Sequence, residues 1–298
     1  MLERILKILI IVVDCAGPLL IAVGLFAGIL HVTLLDISLL VGMHVITMGG
    51  VTVGYHRLLS HKAFKTGVKT RRILAILGAM SGQSDPIRWV DLHRRHHRYE
   101  DVEGDVHSPH LSGEDFWGRL KGFWYSHLGW IFDDDWERSD FRYAVDIQND
   151  SVICFVSRYA LVWPLLSFVI PAVLGGVLTG TWTGFFSGFF WGGLVRLIFG
   201  HHVSACVNSV CHVWGSRPFV TKDYSCNHGL VAILTLGEGW HNNHHAFPCS
   251  ARQGLTGWQI DPSWWFIQLL EKLGLAWDVR VPSQKEMLRL DRSRLQNT

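Results

Sequence analysis

The stretch VTLLDISLLVGMHVITMGGVTVGYHRLLSH, residues 32–61, decides how the chain is read. Its first part, Val32 to Val53, is an apolar run carrying Asp36 and His44. As a helix it is long enough to cross a hydrocarbon core of about 30 Å at about 1.5 Å per residue. Immediately past its end come His56 and His61. Five residues apart, these rings do not share an α-helical face. They reach one point only if the helix ends between them, and otherwise each serves a different metal.

Working outward, Ile8 to Ile29 is a second long apolar run, broken by Asp14 and Pro18, and pairs with the first as a hairpin. No small-residue cleavage site follows it, so it reads as a retained span. Downstream, Tyr159 to Leu178 and Gly184 to about Ala205 make another hairpin around the uncharged turn Thr179-Gly180-Thr181-Trp182-Thr183. The composition agrees: 298 residues, 49% hydrophobic and 17% charged, are too apolar for an ordinary soluble domain. A net charge of +2 makes no case for nucleic acid, and 14 Trp suit interfacial belts. Six Cys contain no C-x-x-C and read as reduced, mostly buried thiols. Neither hairpin tip contains Lys or Arg, which places both termini and both large polar segments in the cytoplasm. Asp14 and Arg196, charges within spans, read as structural pairs.

The expectation is therefore an all-α integral membrane protein: four transmembrane helices in two hairpins, with a helical cytoplasmic cap. Its parts are a first hairpin (1–54), a cytoplasmic segment (55–158), a second hairpin (159–205) and a cytoplasmic C-terminal segment (206–298), integrated as one domain. Within the cap, Ile73 to Met80 reads as a short helix and Phe116 to Phe132 as an interfacial one. Ser263 to Gly274 reads as a docking helix with Ser263 as N-cap and Gly274 as its stop, followed by a charged tail.

Three more clusters join His56 and His61. His93, His96 and His97 fall at i, i+3 and i+4 on a helical face, as do His241, His244 and His245; Asn208 and His212 lie at i and i+4 past the fourth span. Each cluster alone is also what a solvated polar helix face or an N-capping Asn would show. Together they emerge on one side of the membrane, and nine imidazoles exceed what one ion can take. Two metals are implied, with Asn208 available through its oxygen or a bound water, and the ligand type suits iron, copper or zinc.

HRLLSH, HRRHH, NSVCHVWGSRPF and GEGWHNNHHAFP in this order resemble the membrane-bound acyl-CoA desaturases of the stearoyl-CoA Δ9 type and their bacterial acyl-lipid relatives. The resemblance covers nearly the whole chain. It implies a di-iron (Fe2+) site ligated by His56, His61, His93, His96, His97, His212, His241, His244 and His245, with Asn208 acting through water. It further implies O2-dependent removal of two hydrogens from a long acyl chain, at Δ9. The chemistry agrees: an unactivated alkyl C–H offers no acidic proton, so a metal-based oxidant is needed and no catalytic side chain beyond the ligands is expected. Glu100, Asp101, Asp105 and Glu238 are candidates to orient the ligand imidazoles, or are ordinary caps and surface charges. His107, His110, His127, His201, His202 and His228 lie outside the motif positions.

Substrate-contacting residues are not legible. Arg57, Lys62, Lys65, Lys69, Arg71, Arg72, Arg88, Arg94 and Arg95 are candidates for CoA phosphates or anionic lipid headgroups, leaving acyl-CoA, acyl carrier protein thioester and acyl-lipid open. No fused cytochrome b5 module is evident, so the electron donor is expected to be separate: ferredoxin or rubredoxin in a bacterial inner membrane, or cytochrome b5 with its reductase. The alternatives are a histidine-box alkane or fatty-acid hydroxylase and, from another class, a membrane haem or metal carrier. The carrier would need histidines paired at membrane depth, where only His44 clearly sits.

Overall fold

A computed structural model describes residues 2–133 and 140–295, with side chains from residue 12 onward. The described residues are mostly helical, with almost no sheet. The helices are α1 (Leu2–Phe26), α2 (Leu34–Gly49), α3 (Val68–Ala79), α4 (Pro86–Tyr99), α5 (Phe116–His127), α6 (Val145–Gln148), α7 (Ser151–Arg158) and α8 (Val162–Thr179). They continue through α9 (Trp182–Gly188), α10 (Arg196–Asn208), α11 (Gly229–Leu234), α12 (His241–Ala246), α13 (Pro262–Lys272), α14 (Gln284–Leu290) and α15 (Arg292–Leu295). Two short strands, β1 (Lys65–Thr66) and β2 (Ala276–Trp277), pair antiparallel and hold the C-terminal segment against the end of the second span.

Among the described residues, three continuous helices are long and apolar enough to cross a membrane: Leu34–Ser60, Val162–Thr179 and Trp182–His212. The first and third run further than the apolar pattern indicates, and both contain π-helix, at Gly50–Ser60 and Phe189–Val195. Glycines let the spans approach. A Cβ on Gly188 would meet the Pro171 carbonyl oxygen at 2.2 Å, and one on Gly175 the Gly184 carbonyl oxygen at 2.2 Å. Small residues at such crossings bring backbones into van der Waals contact, where no hydrophobic effect between helices operates. Exposed Leu165, Val169, Val173 and Val177 mark the lipid-facing side of α8.

Charged residues within spans find partners, as expected. Asp36 closes a capping box with Thr33 and accepts from Ser187 at 2.6 Å. Arg196, 1% exposed, donates to Ser167 Oγ at 2.5 Å. Asp14 reaches α10, where its carboxylate stands 2.9 Å from His201 Nδ1 and its carbonyl accepts from His202 Nε2 at 2.8 Å.

The core of the cap is built where the π-helix meets α3, α7 and α13. Val53, Tyr55, Phe64, Leu74, Val90, Ile153 and Ile267 are buried together there. The α13 start differs from the sequence expectation. Asp261, not Ser263, caps it by accepting from Trp264 N at 3.0 Å, while Ser263 Oγ bonds Thr52 Oγ at 2.6 Å and ties α13 to the second span. Proline at the first helical position and a cap one residue earlier explain the shift. Gly274, at φ +69°, does stop the helix. Cys211 and Cys226 are buried, but Cys15 and Cys249 are exposed and all six thiols are free. In the charged tail, Ser283 opens α14 with a capping box; Gln296 to Thr298 lie outside the described residues.

Candidate metal centre

The first two histidines meet because the helix carrying them is π-wound. Its i→i+5 hydrogen bonds widen the turn beyond the 3.6 residues of an α-helix and so bring positions five apart closer to one face. The bond from His61 N to the His56 carbonyl, 3.1 Å, closes such a turn, and the helix ends at Ser60. Both rings enter the same group, so the option of one metal each is not realised. On α4, Asp85 accepts from Ile87 N and Arg88 N and starts the helix. Its winding then aims His93 and His97 to one side and His96 to the other. The short α12 divides its histidines likewise.

Two groups result. His56, His61, His93, His97 and His244 bring ligand atoms within 4.8 Å of one another, and so do His96, His212, His241 and His245. The four-histidine group is buried throughout, and in the five-histidine group His56 and His244 are buried while His61, His93 and His97 are half-buried, so neither is a solvated helix face. All nine predicted imidazoles are thus assembled. Asn208, the last residue of α10, is half-buried, and among the described residues its side chain makes no hydrogen bond. It does not N-cap a helix.

All four predicted carboxylates touch ligand rings at Nδ1. Glu238 meets His56; Glu100 meets His97 at 2.9 Å and His245 at 3.4 Å; Asp101 meets His212 at 2.8 Å; Asp105 meets His96 at 2.9 Å. A fifth carboxylate, Asp223, meets His245 Nδ1 and was not legible. It stands in Lys222-Asp223-Tyr224-Ser225, outside every histidine motif, and no local spacing announces it. His107, outside the motif positions, lies against His96 with ring centroids 4.5 Å apart. His110, by contrast, donates from Nε2 to the His212 carbonyl at 2.8 Å.

In His56, His96, His97, His212 and His245 a carboxylate at Nδ1 leaves Nε2 turned inward. Nε2 atoms converge. His244 Nε2 stands 3.0 Å from His56 Nε2 and 2.9 Å from His97 Nε2; His61 and His93 meet through Nε2 at 2.7 Å, and His212 and His241 at 3.0 Å. His96 Nε2 and His245 Nε2 are buried with no partner among the described residues. Facing lone pairs repel, and one proton on His244 cannot serve two neighbours. A cation resolves the conflict, since nitrogens bound to one ion at about 2.1 Å stand about 3 Å apart. The donor set fits two metal ions.

Titration behaviour points the same way. Burial, then neighbouring imidazoles, holds His61, His93, His241 and His244 well below the ordinary histidine range. Burial likewise takes His97 down to about 3 despite Glu100. Neutral imidazole is the metal-binding form. The orienting acids stay ionised: against the cost of burial, hydrogen bonds from His245 and His97 hold Glu100 down to about 2. Burial would also lower His245, but Asp223 and Glu100 raise it to about 10. A proton there supplies the positive charge that a metal would bring.

Of the basic residues that were candidates for headgroup or phosphate, Arg57 is excluded. It is 1% exposed, and its guanidinium is held by Asp261 and Glu238. Arg94 is also committed inward, to the Ser60 and Leu59 carbonyls and to Asp146. Lys62, Lys65 and Arg71 pair with Asp146, Asp278 and Asp150.

Fold, spans and histidine groups now meet the comparisons. Residues 15–271 match the fatty acid desaturase family model, and the chain belongs to that family. It is 44% identical over 252 residues to a hex-5-enoyl-acyl-carrier protein acetylenase of Moorena producens, covering 84% of this chain and 78% of the relative. It is 40% identical over 258 residues to Delta-9 acyl-lipid desaturase 1 of Arabidopsis thaliana, covering 85% and 78%. An acyl-CoA C20 Delta5-desaturase of Anemone leveillei is 41% identical over 238 residues, covering 79% and 70%. This is a membrane desaturase with histidine groups able to hold metal.

Proposed function

We propose that the chain is an O2-dependent di-iron desaturase that introduces a cis double bond into a long acyl chain carried as acyl-CoA or acyl-lipid, at Δ9. The observation that carries the metal reading is the double histidine group, in which His56, His96, His97, His212 and His245 set Nδ1 on carboxylates while Nε2 atoms converge. His56, His61, His93, His97 and His244 would hold one iron; His96, His212, His241 and His245 would hold the other, with Asn208 reaching it through water. The bound irons supply the oxidising power that an unactivated C–H bond requires. Burial keeps His61, His93, His97, His241 and His244 neutral, and Glu100, Asp101, Asp105, Asp223 and Glu238 stay ionised against the rings that they orient. Two electrons come from a separate donor, ferredoxin, rubredoxin or cytochrome b5. The Δ9 position rests on the relatives so named; the acyl carrier differs among them, being acyl carrier protein, CoA or lipid in the names that they bear.

In this reading α1 is a fourth span, the chain keeps the four-part order 1–54, 55–158, 159–205 and 206–298, and the histidine side faces the cytoplasm. The test is expression with a suitable electron donor in a desaturase-deficient host, followed by gas chromatography–mass spectrometry of the fatty acids. A new monounsaturated chain, with two irons per protein and no haem band, is expected. Hydroxylated chains would transfer the site to the hydroxylase chemistry, and a haem band would remove the di-iron reading.

A further inference from the structure

The geometry assigns Arg57 and Asp261 a positioning role at the five-histidine group: together they hold the Glu238 carboxylate that orients His56. This rests on the metal reading above. Arg57 lies between the two histidines of HRLLSH, yet its side chain leaves the site and enters a pocket made by the C-terminal segment. Its Nη1 donates to the Ala251 carbonyl at 2.8 Å and to Asp261 Oδ2 at 3.2 Å. Its Nη2 donates to Asp261 Oδ1 at 2.9 Å and to Glu238 Oε1 at 3.3 Å. The other Glu238 oxygen meets His56 Nδ1, with Gln253 Nε2 3.4 Å from it.

Asp261 fixes the far end of this array. Oδ2 accepts from Gln253 N at 2.8 Å and Gly254 N at 3.0 Å, and Oδ1 caps α13 through Trp264 N. Gly237 leaves the pair its room: an added Cβ there would stand 2.4 Å from Asp261 Oδ1 and 2.8 Å from Arg57 Nη2, on a backbone at φ +124°. The loop 251–261 and the start of α13 therefore reach Glu238 and His56 through the Arg57 guanidinium and, at 3.4 Å, through Gln253 Nε2. Buried, hydrogen-bonded forks of this kind hold orientation as well as charge, and lysine does not reproduce them. Glu238 thereby keeps an oxygen on His56 Nδ1, the kind of contact that fixes the orientation of a ligand ring.

The test is iron content and the spectrum of the purified enzyme for Arg57→Lys, Asp261→Asn and Glu238→Gln, beside wild type. Wild type is expected to hold two irons whose spins are coupled. The variants are expected to bind iron at the five-histidine group about 10–100-fold more weakly, so that iron falls from two toward one per chain and an uncoupled high-spin ferric signal appears. Partial retention of the coupled pair in Glu238→Asp, above that in Glu238→Gln, would mark orientation of His56 by a carboxylate. Variants that keep two coupled irons overturn the inference, as do variants that lose both irons and unfold together. A wild type without iron would instead remove the metal reading on which the inference rests.

Discussion

His97 and His110 lie thirteen positions apart in the same polar segment, yet the site distinguishes them by which ring nitrogen is engaged. His97 has Nδ1 on Glu100 and Nε2 against His244, whereas His110 spends Nε2 on a backbone carbonyl. His97→Ala is expected to abolish turnover and lower bound iron. His110→Ala should cost about 1 kcal/mol of stability from one lost hydrogen bond and leave iron in place. Metal analysis beside product formation checks both, and full iron in the His97 variant would undo the ligand assignment. The histidines themselves were legible because each cluster is local: i, i+3 and i+4 spacing is a property of a few neighbouring residues. Asp223 was not legible, because its partner is 22 positions away and the two meet only through the tertiary fold. Arg57 misled for a related reason. A cation beside other cations reads as surface until its buried acids, Glu238 and Asp261, are brought to it from near the C-terminal end.

At the scale of elements, the π-wound end of the second span is the piece that sequence periodicity does not resolve. Apolar spacing reports which residues are buried, and residues 50–60 are all buried, so no stripe reveals the winding. The same segment packs on α3 with almost no clearance. A Cβ on Gly50 would meet Gly78 N at 2.1 Å and the Leu77 carbonyl carbon at 2.3 Å, both backbone atoms that cannot rotate away. Gly50→Ala is accordingly expected to destabilise the protein by about 1–3 kcal/mol through overpacking. It should also displace His56 and His61, so thermal unfolding in detergent should fall together with iron retention. An unchanged melting temperature would show that α3 yields more easily than this packing implies.

For the whole molecule, the apolar runs announced a helical membrane protein, and three of the four expected spans are long apolar helices in the structure. The cap was only partly legible, since its elements are short and are joined by histidine–carboxylate contacts and capping more than by amphipathic stripes. Orientation is open to direct measurement. Cys249 is exposed and follows α12, on the side of the histidine groups. A membrane-impermeant maleimide should label it in inverted vesicles and leave it untouched in right-side-out ones, with a Cys249→Ser variant as control. Labelling from the outside would reverse the topology.

Asp14 and His201 are 187 residues apart in the chain, and this separation has a meaning in time as well as in space. A ribosome adding about 5–20 residues per second needs roughly 10–40 s to reach the partner after making the acid. For that interval the first helix carries a carboxylate with no imidazole to receive it, and a charge in that state resists settling into a bilayer. The contact that seats α1 against α10 therefore waits until α10 has been made.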